Sequence, residues 1–226
     1  MNKNVVLVVD DDKSIRELLT ILLNNQDIDV ISAKDGLEAL ELLKKNKVDL
    51  IILDVMMPKM DGMVTCMQIR KTLNIPIIIL SAKAEDADQI LGLTIGADDY
   101  MPKPFNSMLL IAKVKSHIRR YKDFNLNTSG SSSLIKIQDM LIDLDKHEVQ
   151  VGDNSLSLTP HEFDILSLLA QNVNKVLSIR QIYENVWKDP YLESDRTVTV
   201  HIRRLRQKLK KDYIKTVWGV GYKIES

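Results

Sequence analysis

From residue 4 to 121, short runs of aliphatic and β-branched residues alternate with longer stretches whose apolar residues recur at helical spacing. This alternation constrains the fold most, because strands each followed by a helix build a parallel sheet covered by helices on both faces. Five such units are readable, with strands near Val5 to Val9, Asp29 to Ala33, Leu50 to Leu53, Ile77 to Leu80 and Tyr100 to Met101. The first helix carries an apolar stripe at Ile15, Leu18, Leu19, Leu22 and Leu23, the last at Leu110, Val114 and Ile118. The expected fold class is α/β, a doubly wound (βα)5 sheet over residues 1–121.

Periodicity stops around Lys122 to Ser133, where Asn, Thr, Gly and Ser dominate, and residues 122–133 read as a linker. Residues 134–226 form a second domain. Ile135 to Leu158 alternates polar with apolar residues and has turn signals at Asp145-Lys146 and Gly152-Asp153, predicting a small antiparallel sheet. Thr159-Pro160-His161-Glu162 is a capping box with proline at the first helical position, opening a helix with Phe163, Leu166, Leu169 and Ala170 inward. Helices near Ser178 to Trp187 and Arg196 to Lys211 follow, then a strand-like end broken by Gly219-Val220-Gly221.

A chain of 226 residues accommodates two such domains, each with its own core. No apolar run is long enough to cross a bilayer, and Met1-Asn2-Lys3-Asn4 leads into a strand without a signal core, so a cytoplasmic protein is expected. Cys66 is the single cysteine, which excludes an internal disulfide and a thiolate-rich metal site. His117, His147, His161 and His201 lack paired ligand spacing and read as surface or packing residues. The formal charge is zero, yet Arg196 to Lys211 holds seven basic residues and no acid, so a neutral protein still presents a basic helix.

Polar residues punctuate the strand ends: Asp10-Asp11-Asp12 after the first, Asp54 after the third, Ser81 after the fourth and Lys103-Pro104 after the fifth. In an open parallel sheet the crevice lies beyond the carboxyl ends of the strands, so these residues converge. The clustered carboxylates call for a hard divalent cation such as Mg²⁺. With it, Asp54 can act as a nucleophile toward a phosphoryl group, Lys103 supplying fixed positive charge and Ser81 a hydroxyl donor. A cis Lys103-Pro104 bond would place the ammonium.

These residues resemble the receiver domains of two-component response regulators. The likeness spans residues 4–121 and rests on Val8-Val9-Asp10-Asp11-Asp12, Leu53-Asp54-Val55-Met56-Met57-Pro58, Asp61-Gly62, Ser81-Ala82, Gly96-Ala97-Asp98-Asp99-Tyr100 and Lys103-Pro104-Phe105. The resemblance implies Asp54 as phosphoacceptor from a sensor histidine kinase. It further implies Asp11, Asp54 and the Met56 carbonyl as Mg²⁺ ligands, Asp10 acting through water, and Ser81 with Tyr100 as a switch pair. In such relatives an activated dimer forms by charge pairing. Here Asp98, Asp99, Lys113 and Arg120 stand at pairing positions, but Leu109 and Gln89 replace one usual ion pair, and lysine at 113 loses the bidentate geometry of arginine. A weaker or more apolar dimer contact is expected. Neither Met56 nor Lys83 is suited to position water near Asp54, so slow self-dephosphorylation is also expected.

On a helical wheel Val198, Ile202, Leu205 and Leu209 form a core stripe, and the opposite face carries Arg196, Val200, Arg203, Arg204, Gln207, Lys210 and Lys211 with Thr199, His201 and Arg206 on its flanks. Such a face suits the major groove of promoter DNA. Residues 134–225 resemble the winged helix-turn-helix effectors of the OmpR/PhoB subfamily. The motifs are Ser157-Leu158-Thr159-Pro160-His161-Glu162-Phe163, Asp195-Arg196-Thr197-Val198, Val200-His201-Ile202-Arg203-Arg204-Leu205-Arg206 and Gly219-Val220-Gly221-Tyr222. The likeness implies a recognition helix, a wing at 215–224, and a loop near Lys188 to Ser194 that touches RNA polymerase. Trp218 stands where relatives often have arginine, and it is expected to pack against the domain instead. Arg119-Arg120-Tyr121-Lys122 and the terminal segment look most like the VanR-type regulators of glycopeptide resistance. Two other readings remain open: an aspartyl-phosphate phosphatase, disfavoured by Met56 where a second carboxylate belongs, and a phosphorylation-independent regulator with a vestigial acidic site.

Overall fold

The computed structural model describes residues 3–82, 92–126, 134–188 and 196–225. The chain divides into two compact units, Met1–Lys122 and Asp123–Ser226. In the first, β1 (Asn4–Val9), β2 (Ile28–Ala33), β3 (Leu50–Asp54), β4 (Ile77–Ser81) and β5 (Asp99–Pro102) form one sheet. Every pairing is parallel and the order is β2-β1-β3-β4-β5. Helices α1 (Lys13–Asn24), α2 (Gly36–Lys45), α3 (Gly62–Arg70) and α4 (Ser107–Leu126) supply crossovers and flank, and residues 92–95 are also helical.

Strand alternation decides which helix covers which face. Val6, Val8, Leu50, Ile52, Ile78 and Leu80 pack against Leu19 and Leu23 of α1 and Leu110, Val114 and Ile118 of α4. Their neighbours Leu7, Val9, Ile51, Leu53 and Ile77 point the other way, toward Ala39 of α2 and Cys66 and Ile69 of α3. The stripe on α1 is narrower than its periodicity suggests: Leu18 is exposed, because only one line of the helix meets the sheet. Helix α4 also runs through 122–126, which the composition assigns to the linker. No glycine or proline interrupts it there, and the helix outlasts the packed stripe.

In the second unit, β6 (Leu134–Ile137), β7 (Met140–Asp143), β8 (Glu148–Val151) and β9 (Asn154–Leu156) make an antiparallel meander. Helices α5 (Pro160–Gln171), α6 (Ile179–Trp187) and α7 (Thr197–Leu209) follow. A small sheet closes the unit, with β10 (Leu177–Ser178) beside the hairpin of β11 (Ile214–Val217) and β12 (Gly221–Ile224). One core joins all three helices to both sheets through Met140, Phe163, Leu166, Ile182, Trp187, Val198, Ile202, Leu205 and Ile214. Thr159 caps α5 in the expected capping box with Glu162.

Gly62 matters to the first unit because α3 begins hard against the end of β3. Its N–H donates to the Val55 carbonyl at 2.9 Å, and a Cβ there would lie 1.9 Å from the Asp54 carbonyl oxygen. Overpacking of this kind costs about 1–3 kcal/mol. Gly62→Ala is therefore expected to lower the stability of the first unit by that amount in urea unfolding; an unchanged midpoint would contradict the close approach.

Candidate functional site

The β1–β3 register sets Val9 beside Leu53, so the next residue of each chain segment, Asp10 and Asp54, emerges side by side at the switch point of the sheet. Both are buried. Asp11 lies exposed next to them, and one carboxylate oxygen from each of Asp10, Asp11 and Asp54 falls within 4.8 Å of the others. Lys103 comes from the end of β5, its peptide bond to Pro104 cis and its N–H donating to the Ser81 carbonyl at 2.7 Å. Its Nζ donates to Asp10 Oδ2 at 2.6 Å and stands 3.1 Å from Asp54 Oδ1.

Local bonds hold the acidic loop in shape. Asp12 N donates to Asp10 Oδ1 at 2.9 Å, and Arg16 reaches back from α1 to the carbonyls of Asp10 at 2.7 Å and Asp11 at 3.0 Å. Asp12 and Asp61 also cap α1 and α3, so both loops at the crevice end in helix N-termini. Arg16 was not singled out from the sequence; its signal is a basic side chain one helical turn after the acidic run.

Burial raises the Asp54 carboxyl above its ordinary value of 3.8; the Lys103 ammonium pulls the other way, and Asp10 adds to the rise. For Lys103, burial disfavours the ammonium, but its bonds to Asp10 and Asp54 prevail and raise it. An acid whose folded value is raised costs the folded state stability as pH climbs through that value. Asp54→Asn removes this cost. The metal-free variant is expected to unfold at higher urea than wild type at neutral pH, with the gap closing below pH 3.8; a destabilised variant would show that burial is not the dominant influence.

Ser81 and Tyr100 are both buried near this edge. The expected pairing residues Asp98, Asp99 and Lys113 prove to be turned inward. Asp98 takes Arg70 at 2.6 Å and the Ile77 N–H at 2.9 Å. Asp99 Oδ2 takes Lys113 at 2.6 Å and His117 at 3.1 Å. Burial opposes ionisation of Asp99, yet the Lys113 ammonium and the hydrogen bond with the His117 ring hold its carboxyl below the usual carboxylate range. All three are buried, and burial makes partners within the unit the favourable ones. Leu109 is 43% exposed and Arg120 partly buried, while Gln89 and Lys83 lie outside the described residues.

In the second unit α7 buries Val198, Ile202, Leu205 and Leu209 as predicted. Its buried arc is wider than that stripe, because α7 packs against both α5 and α6. Val200 and Arg204, assigned to the outer face from the wheel, and His201, assigned to its flank, are buried. The His201 ring lies 5.4 Å from that of Trp187 and 6.0 Å from that of His161. Arg204 pairs with the buried Glu162 at 3.0 Å, and Lys208 meets the same carboxylate at 2.6 Å. Burial disfavours the Glu162 charge, but the two cations hold its carboxyl below its ordinary value. Glu162 thus does more than cap its helix: it fastens α7 to α5. The i,i+4 pair Arg204 and Lys208 was the signal for it.

Arg196, Thr199, Arg203, Gln207, Lys210 and Lys211 remain on the exposed face. Arg206 is half-buried, donating to the Ile214 carbonyl at 2.7 Å and Thr216 Oγ1 at 2.8 Å. Trp218, expected to fold back on the domain, is 90% exposed at the hairpin tip. The segment 189–195 lies outside the described residues. Arg204→Ala is expected to lower stability by about 3 kcal/mol, since it strips one partner from a buried carboxylate. Arg203→Ala should stay within about 0.5 kcal/mol of wild type. Equal losses in thermal unfolding would refute this division.

Residues 6–115 match the family model of the response regulator receiver domain, and residues 153–224 match that of the transcriptional regulatory protein C-terminal domain. With the parallel sheet, the acidic crevice and the winged second unit, the chain belongs to the two-component response regulators of OmpR/PhoB type, DNA-binding regulators of transcription. Among its relatives, it is 43% identical to the regulatory protein VanR of Enterococcus faecium, over 97% of this chain and 98% of that one. It is 40% identical to the uncharacterized transcriptional regulatory protein YcbL of Bacillus subtilis, over 96% and 99%. Among solved structures it is similar to the response regulator DrrB, a Thermotoga maritima OmpR/PhoB homologue, at 31% identity and TM-score 0.52, covering 100% of both chains. A RitR mutant matches at 27% identity and TM-score 0.78, again covering 100% of both. No described helix is long and apolar enough to cross a membrane.

Proposed function

We propose that Asp54 accepts a phosphoryl group from a sensor histidine kinase and that the modified protein dimerises and binds promoter DNA. The observation that carries this reading is the Lys103 ammonium held between Asp10 and Asp54 at the switch point of the sheet. It sets a fixed cation beside the Asp54 carboxyl, which is the arrangement an attacking carboxylate needs.

The residues fit Mg²⁺: Asp10, Asp11 and Asp54 offer only hard oxygen donors in reach of one point, with the Met56 carbonyl on the adjoining loop. When bound, the ion neutralises charge gathering on the phosphoryl oxygens. In the transfer an Asp54 carboxylate oxygen forms the new bond to phosphorus as the bond to the kinase imidazole breaks. Lys103 then pairs with a phosphoryl oxygen, and Ser81 donates to another. The adduct adds about 1.5 to 2 negative charges, which biases Ser81 and Tyr100 toward a second arrangement and favours pairing of two receivers. Leu109 makes that contact partly apolar. Two recognition helices then meet tandem half-sites one helical turn apart, through Arg196, Thr199, Arg203 and Gln207. The loop at 188–194 would touch RNA polymerase. The likeness to VanR-type regulators makes glycopeptide-resistance genes the first promoters to try. Met56 offers water no hydrogen bond from its side chain, so the adduct should persist for minutes rather than seconds.

Incubation with Mg²⁺ and a small acyl phosphate should give a phosphoryl adduct by mass and tighten DNA binding about tenfold or more, the scale on which linked binding sites gain avidity. Asp54→Ala should show neither. DNA binding that is unchanged by treatment, with no adduct, would favour the phosphorylation-independent regulator.

A further inference from the structure

The loop between β3 and α3 carries the Met56 carbonyl, and it is closed at its base on one atom. The Val55 carbonyl oxygen accepts from the Met57 N–H at 3.2 Å and from the Gly62 N–H at 2.9 Å. Near the tip stands Lys59, whose backbone turns at a φ of 66°, a conformation that an L side chain adopts at some cost. Its ammonium donates to Asp35 Oδ2 at 2.6 Å. Asp35 is buried at the entry to α2, where its other oxygen, Oδ1, accepts from the Glu38 N–H at 3.0 Å. The bond from Lys59 is the first of the influences that hold the Asp35 carboxyl below its ordinary value of 3.8, so the pair is charged at neutral pH.

The same turn of chain touches the acidic crevice in two further ways. Gly36 lies hard against the β3–α3 loop: a Cβ there would stand 3.0 Å from Met60 Cγ, 3.1 Å from the Met60 carbonyl oxygen and 1.9 Å from Thr65 Oγ1. On the other side, the Ala33 carbonyl at the end of β2 accepts from the Asp10 N–H at 3.2 Å. Residues 33–36 therefore meet both loops that would hold a cation, the one with Asp10 and Asp11 and the one with Met56. An ion pair made by an exposed lysine ordinarily contributes little stability, and a lysine at positive φ is a poor choice for stability alone. The pair has a better use in geometry.

Resting on the phosphotransfer reading above, we propose that Lys59 and Asp35 are positioning residues for Mg²⁺. Their ion pair braces the tip of the β3–α3 loop against α2, so that the Met56 carbonyl is presented to the cation together with Asp10, Asp11 and Asp54. A ligand set held in place before the ion arrives binds it more tightly. Charge and geometry predict different signs here: removing the Lys59 cation from an acidic neighbourhood favours Mg²⁺ on Coulomb grounds, whereas losing the brace disfavours it.

The test measures Mg²⁺ binding to the full chain by calorimetry, without phosphodonor. Lys59→Gln and Asp35→Asn should each bind the ion about tenfold more weakly, the scale on which outer supports of a metal site act. The double variant should be no weaker than either, because both changes break one contact. Lys59→Arg should restore most of the affinity. Asparagine at 35 keeps the cap on α2, so Asp35→Asn should fold. Lys59→Gly lacks the ammonium but suits the backbone of the turn; it should bind Mg²⁺ as weakly as Lys59→Gln while unfolding at no lower temperature. Lys59→Gln that binds as tightly as wild type or more so, single variants with opposite effects that cancel in the double, or affinity that returns in Lys59→Gly would each overturn the brace. Wild type that binds no Mg²⁺, or binds it no better than Asp11→Asn does, would instead bring down the metal site and the phosphotransfer reading that uses it.

Discussion

The receiver is organised around one cation. Lys103 stands between two buried carboxylates that emerge from adjacent parallel strands, and without it the sheet edge would hold like charges in a poorly solvated crevice. The parallel register that pairs Val9 with Leu53 creates the problem by setting Asp10 beside Asp54. The end of β5 answers it by delivering the ammonium, and Arg16 and Asp12 hold the acidic loop so that the distances persist. Close approach of α3 at Gly62 fixes the backbone beneath the phosphoacceptor. Burial and positive charge pull Asp54 in opposite directions, which leaves a carboxylate whose ionisation is costly and whose modification changes the local balance.

The second unit solves a comparable problem for a different end. Glu162 is a fully buried acid on α5 that receives Arg204 and Lys208 from α7, so the helix exposing the basic surface is fastened by some of its own cations. Arg203 and Arg204 are neighbours with opposite tasks, one facing solvent and one holding the fold. Arg206 does a third thing, tying α7 to the hairpin. The consequence is a rigid surface in which helix and hairpin present a basic face and an apolar tip together.

Much of this is legible in sequence. Strand alternation, the acidic strand ends and the core stripe of α7 follow from periodicity and chain order, and the crevice follows from the rule for parallel sheets. Side-chain direction was harder. A helical wheel assumes one buried line, but α7 packs against two helices, and so Val200, His201 and Arg204 moved inward. Arg70, Lys113 and His117, which meet Asp98 and Asp99, lie 28, 14 and 18 residues away, too far for local pattern to reveal them as partners. Trp218 went the other way, since an apolar side chain suggests burial and nothing local shows that a hairpin tip leaves it in water.

The account turns on Asp54 being a carboxylate that burial disfavours and Lys103 sustains. A ¹³C carboxyl titration of Asp54, metal-free, in wild type and in Lys103→Met tests this directly. Wild-type Asp54 should titrate above its ordinary value of 3.8, and removal of the ammonium should push it higher still. Titration at or below the ordinary value, or one indifferent to Lys103, would contradict the account.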